Sequence, residues 1–335
     1  MDASTVTARA AALLTSAVVW DNHTCMPLRP LDESFLPQLE RFRGAGVNVV
    51  SVNVGFGELS IESHVRMLAQ MRRWLSLRGE DYRIVSTPAD IAAAKAEGKL
   101  GVFFDIEGAG AIDDQLSLIG LYYDLGVRWM SIAYNQGNRV GGGCLAPDGG
   151  LTEFGRAALD EMQRVGMITC CSHTGEKTTL DAIAYSSNPV IFSHSNPRGM
   201  RDHPRNITDR AITACAAKGG VVGVSGVSAF LGDYAIKPET LARHVDYVVQ
   251  LAGIDHVAIG LDYVFDHEEM HEHFRKMKGA FPAGVVGYDG EELPIMAPER
   301  IGEVIEELFG LGYGEADIRK ILGENLLRVA RTVWK

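Results

Sequence analysis

Eight short apolar runs alternate with longer segments of helical periodicity along most of the chain, and this rhythm limits the fold more than any other feature. The runs are AVVWDNH (17–23), VNVVSVNVG (47–55), KLGVFFDIEG (99–108), VRWMSIAYN (127–135), GMITCCSHTG (166–175), PVIFSHSN (189–196), GGVVGVSG (219–226) and HVAIGLDY (256–263). Most are apolar without alternation, which is how strands covered on both faces of a parallel sheet read. Between them lie helical patterns such as IESHVRMLAQMRRWLSLRG (61–79), LTEFGRAALDEMQRVG (151–166), ITDRAITACAAKGG (207–220) and KPETLARHVDYVVQLAG (237–253). Eight strand–helix units in about 250 residues describe an α/β protein built as a (β/α)8 TIM barrel better than one with an open sheet. No break in composition marks a second domain. We therefore expect one barrel over residues 1–335, with a helical lid or insertion around 265–295.

Composition narrows the partners. A formal net charge of -11 over 335 residues gives no basic footprint for nucleic acid or an anionic membrane, so a small molecule or peptide is the expected partner. No segment has the run of about 18 apolar residues that a membrane span needs. The five cysteines, Cys25, Cys144, Cys170, Cys171 and Cys215, form no CxxC spacing, which fits a reducing cytoplasm better than a disulfide framework. The opening MDASTVTARAAALLTS has no basic cluster ahead of its apolar stretch and reads as a first helix rather than a signal peptide.

Six of the eight runs end in a polar or metal-capable residue: His23 with Cys25, Glu107, Tyr134, His173, His194 and Asp262. In a barrel these C-terminal tips converge on one mouth, where such folds carry their active sites. Three histidines, two carboxylates and a thiol exceed what one divalent ion needs and suggest a pair of metals bridged by a carboxylate, for which Glu107 is the natural candidate. Two-metal sites of this kind place their ions about 3.5–4 Å apart, where they activate a shared water and polarise a carbonyl. His23 and Cys25, two apart on an extended chain, point to the same side and suit one ion. His173 and His194, from neighbouring strands, suit the other.

The segments DNHTCMP, FFDIEGAGAI, CCSHTG, VIFSHSNPRGMRDHPRN and IGLDY, in that order, resemble the membrane (renal) dipeptidase family, a branch of the metal-dependent amidohydrolase superfamily, and the likeness extends to ILGENLLRV near the C-terminus. The resemblance implies a (β/α)8 barrel that hydrolyses dipeptides, often with a D-residue on the C-terminal side, using two zinc ions. It makes Glu107 the bridging ligand, His23 a ligand of the first ion, and His173 and His194 ligands of the second. It gives Asp262 the role of general acid/base that passes a proton to the leaving amine. Arg205, eleven residues after His194, would pair with the substrate carboxylate through its planar fork of donors. Barrels of this type often form homodimers.

This chain departs from the family pattern twice. The family's strand-1 motif is His-x-Asp, whereas here it is His23-Thr24-Cys25. A thiolate also binds zinc, but as a softer ligand that donates more charge, so it would weaken the acidity of a bound water or leave one site tightly filled. On strand 4 the family has a histidine that touches the substrate carbonyl, and this chain has Ala133-Tyr134-Asn135. The Tyr134 hydroxyl could donate to a developing oxyanion instead. Three functions follow as alternatives: a zinc dipeptidase holding one or two ions, a related amidohydrolase for another carboxylate-bearing amide, and a barrel that binds a ligand without catalysis.

Two further motifs carry less. HEEMH (267–271) matches the H-E-x-x-H zinc-protease pattern, but its flanks, DHEEMHEHFRKMKG, are charged nearly all round, as in a solvated helix or a lid over the mouth. The stretch GNRVGGG (137–143) lacks the GK[ST] ending of a phosphate loop and reads as a mobile loop beside the site. His64, His203, His244 and His256 read as structural or exposed, with His203 the one near enough to Arg205 to reach a substrate.

Overall fold

Valine, isoleucine and phenylalanine dominate the strand runs, because β-branched and aromatic side chains pack well on a pleated surface. In the computed structural model, which describes residues 3–57, 59–276 and 292–335, these runs form a ten-stranded parallel sheet. Its strands are β1 (Trp20–Cys25), β2 (Val49–Phe56), β3 (Tyr82–Ile84), β4 (Leu100–Glu107), β5 (Val127–Ser131), β6 (Ile168–Cys170), β7 (Ile191–Phe192), β8 (Val221–Val224), β9 (Val257–Ile259) and β10 (Tyr263–Val264). Eight of them, β1, β2 and β4 to β9, pair in that order, and β9 returns to β1 through Ile259 opposite Asp21. The register runs Trp20 with Val49, Val50 with Val102, Met130 with Thr169 and Val222 with Val257. The result is the closed (β/α)8 TIM barrel that the periodicity predicts.

The two remaining strands are additions. β3 pairs with the start of β4, Tyr82 opposite Leu100, and its three residues are too few to show a period. β10 pairs with the end of β1, Thr24 opposite Tyr263. The run HVAIGLDY, read as one strand, is split between β9 and β10 because Asp262 takes a left-handed backbone, φ 62. That φ is uncommon for a non-glycine residue and interrupts pleated pairing.

Helices start where side chains replace missing backbone acceptors. The hydroxyls of Ser60, Thr152 and Thr208 accept from the amides of Ser63, Gly155 and Ala211, opening helices Ile61–Ser76, Glu153–Val165 and Asp209–Ala217. Thr87 and Asp90 form a reciprocal capping box at Pro88–Ala96. Gly166 ends the helix before β6 in a left-handed conformation, φ 94, where a side chain would be strained.

The apolar core has two parts. The larger lies between the barrel wall and the surrounding helices. The smaller fills the barrel: Trp20, Val49, Phe103, Trp129, Ile191 and Val221 meet Leu326, Val329 and Trp334 of the C-terminal segment. Trp20 and Val49 begin their strands, so the helix Asn325–Val333 closes the N-terminal end of the barrel. Trp334 seals it, with ring centroids 5.8 Å from Trp20 and 5.5 Å from Phe103. The opposite, C-terminal end is left for polar side chains. Replacing the fully buried Phe103 by Ala should lower stability by about 3–5 kcal/mol in a denaturant titration, the usual result of removing a core aromatic. A loss below about 1 kcal/mol would mean that Phe103 does not fill the barrel interior.

Candidate metal centre

The polar tips meet around one carboxylate. Glu107 is the last residue of β4, and its Oε1 lies 2.9 Å from His173 Nε2, 3.2 Å from His194 Nε2 and 3.5 Å from His23 Nε2. The two latter imidazoles stack, with centroids 4.2 Å apart and planes 18° from parallel. His173 Nε2 and His194 Nε2 are 2.9 Å apart. His23 Nε2 is 3.4 Å from Cys25 Sγ and 3.5 Å from Asp262 Oδ1. The donors thus fall into three overlapping groups: His23, Cys25 and Glu107; His23, His194 and Asp262; and Glu107, His173 and His194. Chain segments far apart in sequence are brought together as the barrel reading expects.

Two tips are turned by unusual backbone. His173 (φ 65) and Asp262 (φ 62) are both left-handed, as is Asn135 (φ 58). Such conformations cost about 1–3 kcal/mol each and persist where surrounding structure imposes them. Asp262 is held by its amide, which donates to the His23 carbonyl at 3.1 Å, and the Leu261 amide donates to Asp21 Oδ1 at 2.9 Å. Gly108, directly after Glu107, has φ 105, and a Cβ there would press to 3.2 Å on both Gly57 and Tyr134. Only glycine lets the strand turn there so close to Tyr134.

Behind each imidazole sits a second polar group. His173 Nδ1 is 2.8 Å from Asn135 Oδ1, His194 Nδ1 is 2.9 Å from Ser193 Oγ, and His23 Nδ1 is 3.3 Å from Asp105 Oδ2. Asp105 in turn accepts from Ser51 Oγ at 2.5 Å and from Asn53 Nδ2 at 3.0 Å. None of these five residues stands out in the sequence as a site residue. The available signal was period 2: Asp105 precedes Glu107 by two on one strand, and Ser51 and Asn53 are two apart on the next, so each pair shares a face.

Burial sets the electrostatics. Glu107 is pushed up to about 8 by burial, although the neighbouring His23 pulls the other way. Burial also raises Asp262 and takes the Cys25 thiol to about 12. Burial works against protonation of His23, but Asp105, Cys25 and Glu107 outweigh it and hold that imidazole well above its ordinary value. His173 and His194 are held well below theirs, by burial first and then by Arg205 and His23 respectively. Acids packed this closely keep protons unless a cation takes their place. Nitrogen, carboxylate oxygen and sulfur aimed at common points are the donor set of a zinc-type divalent ion, so the residues fit such a metal.

The substrate-side candidates lie on both sides of His173. Tyr134 stacks on its ring at 4.5 Å and on Phe56 at 5.0 Å. It borders a largely apolar cavity of about 380 Å³ that also reaches Cys25, Glu107, Asp262, Phe230 and Met270. Arg205 places Nη2 3.0 Å from His173 Nε2 and borders a separate, polar cavity of about 190 Å³ with Arg198, Thr174 and Cys144. His203 Nδ1 accepts from the Arg205 amide at 3.1 Å, which fixes the loop that carries the arginine.

The other motifs take different places. HEEMH lies in a helix, His267–Lys276, whose Glu269 and Met270 border the apolar cavity. Its histidine rings are 6.5 Å apart, His271 Nε2 accepts from the Leu293 amide, and neither histidine enters a three-donor group among the described residues. Residues 277–291 of the expected lid lie outside the described residues. In the glycine stretch 137–143, Gly142 N donates to Thr178 Oγ1, and Asn138 Oδ1 accepts from Val140 N. His64 and His244 are buried with backbone partners, and His256 is half-buried against the Gly220 carbonyl.

Comparison with known proteins agrees with this geometry. The sequence profile of the membrane dipeptidases, peptidase family M19, matches residues 7–277. An uncharacterized dipeptidase of Schizosaccharomyces pombe is 32% identical over 279 residues, 79% of this chain and 60% of that protein, so the chain spans little more than half of that relative. The crystal structure of an amidohydrolase from Pseudomonas aeruginosa superposes with a TM-score of 0.87 at 28% identity, covering 97% of this chain and 99% of the other. A metallopeptidase from Rhodobacter sphaeroides, solved with a phosphinate mimic of the dipeptide L-Ala-D-Ala, shares the fold at a TM-score of 0.74 and 21% identity, over 95% of this chain and 99% of that one. A profile match over residues 7–277, on a closed barrel whose strand tips gather around one carboxylate, places the chain in the membrane dipeptidase family, peptidase family M19.

Proposed function

We propose that this protein is a zinc-dependent dipeptidase that cleaves the amide bond of a dipeptide, with a D-residue accepted at the C-terminal position. The observation that carries the reading is the convergence of His23, His173 and His194 on the single buried carboxylate of Glu107. Glu107, His173 and His194 would hold one ion, and His23, Cys25 and Glu107 the other. Bound there, divalent metal supplies Lewis acidity for the scissile carbonyl and for the attacking water.

The remaining steps belong to side chains. Asp262, partly open to the cavity and with its proton affinity raised by burial, takes a proton from the water and passes it to the leaving amine. The Tyr134 hydroxyl donates to the oxygen of the scissile carbonyl as charge builds on it. Arg205 pairs with the C-terminal carboxylate, which would extend into the polar cavity beyond His173. The phosphinate dipeptide mimic bound by the Rhodobacter relative supports a dipeptide of this kind. The helix His267–Lys276 borders the apolar cavity as part of a lid on a single barrel domain, and the protein works in the cytoplasm, as a homodimer.

Cys25 and Tyr134, where the family has aspartate and histidine, favour a second reading: an amidohydrolase for N-acyl amino acids, which present the same carboxylate to Arg205. Metal analysis with a screen of D- and L-terminated dipeptides against N-acyl amino acids separates the two. The expected result is bound zinc, up to two ions per chain, with turnover of dipeptides. Metal-free protein without turnover of either class would contradict both readings.

Arg205→Ala should raise KM for carboxylate-bearing substrates by about tenfold or more, equivalent to about 1.4 kcal/mol, with metal content retained. An unchanged KM would remove Arg205 from substrate binding.

The raised Glu107 gives a pH test. Its stabilising contribution to the metal-free protein is intact below its unfolded value of 4.5 and is lost as pH rises through about 8. Near neutral pH the metal-free carboxyl therefore keeps its proton, and metal must displace it. Calorimetry in buffers of different ionisation enthalpy at about pH 7 should show protons released as metal binds, from Glu107 and from the Cys25 thiol, with the Glu107 share lost as pH rises beyond 8 and the Cys25 share kept. Proton release that does not change across pH 8 would show that Glu107 is not a ligand.

A further inference from the structure

Asp105 stands behind the site and belongs to none of the three donor groups. Its carboxylate is fully buried and lies 3.3 Å from His23 Nδ1, on the side of the imidazole away from Cys25, Glu107 and Asp262. Both its oxygens are fixed from β2: Ser51 Oγ donates to Oδ2 at 2.5 Å and Asn53 Nδ2 to Oδ1 at 3.0 Å. Asn53 Nδ2 also lies 3.5 Å from Glu107 Oε2, so one strand ties the two carboxylates of β4.

We infer that Asp105 is the positioning residue for His23: it accepts the Nδ1 proton, and so keeps the Nε2 lone pair free and aimed at the ion shared with Cys25 and Glu107. The inference rests on His23 being a metal ligand. A neutral imidazole carries one N–H, and the partner of one nitrogen decides which nitrogen is left to bind metal. Ser51 and Asn53 already use both Asp105 oxygens as acceptors, which makes the carboxylate the acceptor toward His23 as well and assigns the proton to Nδ1. The other two histidines are backed by neutral groups, the Asn135 amide oxygen and the Ser193 hydroxyl. His23 alone among the three has a carboxylate in this place, which makes its Nε2 the strongest donor. The position that carries the softer thiol ligand is thereby the one reinforced from behind.

The test is calorimetric titration of the metal-free protein with Zn²⁺, comparing wild type, Asp105→Asn, Ser51→Ala and His23→Ala, with ¹⁵N NMR of the wild-type histidines. Asp105→Asn should weaken one of two binding events by about 10–100-fold and leave the other unchanged. Ser51→Ala, which removes a donor to Asp105 without touching His23, should shift the same event less, and NMR of the zinc-loaded wild type should show the His23 proton on Nδ1. Folded Asp105→Asn that binds as wild type overturns the inference. If that variant does not fold, Ser51→Ala decides: a weakened event supports the role, and unchanged binding overturns it. His23→Ala separates the two levels. Loss of one event there beside unchanged Asp105→Asn refutes Asp105 alone, whereas unchanged binding by His23→Ala refutes the ligand assignment and the inference with it.

Discussion

A carboxylate buried among three imidazole nitrogens is the constraint to which the rest of the molecule answers. Glu107 lines the apolar cavity, 4% exposed, with ring nitrogens at 2.9, 3.2 and 3.5 Å. Removing a charge of this kind from water is strongly unfavourable unless a partner compensates. Here compensation comes either from protons, which is the state the raised proton affinities of Glu107 and Asp262 describe, or from cations. Side chains that bind metal well are thus held in an arrangement that is uncomfortable without it.

The barrel makes that arrangement affordable. Its interior is filled by Trp20, Phe103, Trp129 and their neighbours, and the C-terminal helix with Trp334 closes the far end. The strands can therefore carry polar side chains at their other ends without breaching the core. Three of the five left-handed non-glycine residues among the described ones, Asn135, His173 and Asp262, lie at that end. A closed sheet of parallel strands is stiff enough to impose these conformations, which a lone loop would relax.

Much of this was legible in the sequence because it is written in period and position. Eight apolar runs announce eight strands, and polar residues at their ends announce the mouth. The bounds were less legible. PVIFSHSN yields only Ile191–Phe192 as strand, since its last residues turn to present His194, and YRI is too short to show at all. Partners that act at a distance in sequence were also hidden. Ser51 and Asn53 look like ordinary polar residues in a strand until β2 is set beside β4 and Asp105 faces them. Arg205 could be assigned to the mouth by resemblance, but its place beside a second cavity follows only from the loop that His203 braces. Nor does GNRVGGG reveal that its Gly142 amide donates to the Thr178 hydroxyl.

The central claim is that the strand tips form one metal centre with Glu107 between its two halves. The most direct measurement is anomalous X-ray diffraction at the zinc edge from crystals of the zinc-loaded protein. The account predicts a peak among Glu107, His173 and His194 and a second among His23, Cys25 and Glu107. Zinc density at His267 and His271 of the charged helix, with none at Glu107, would contradict it.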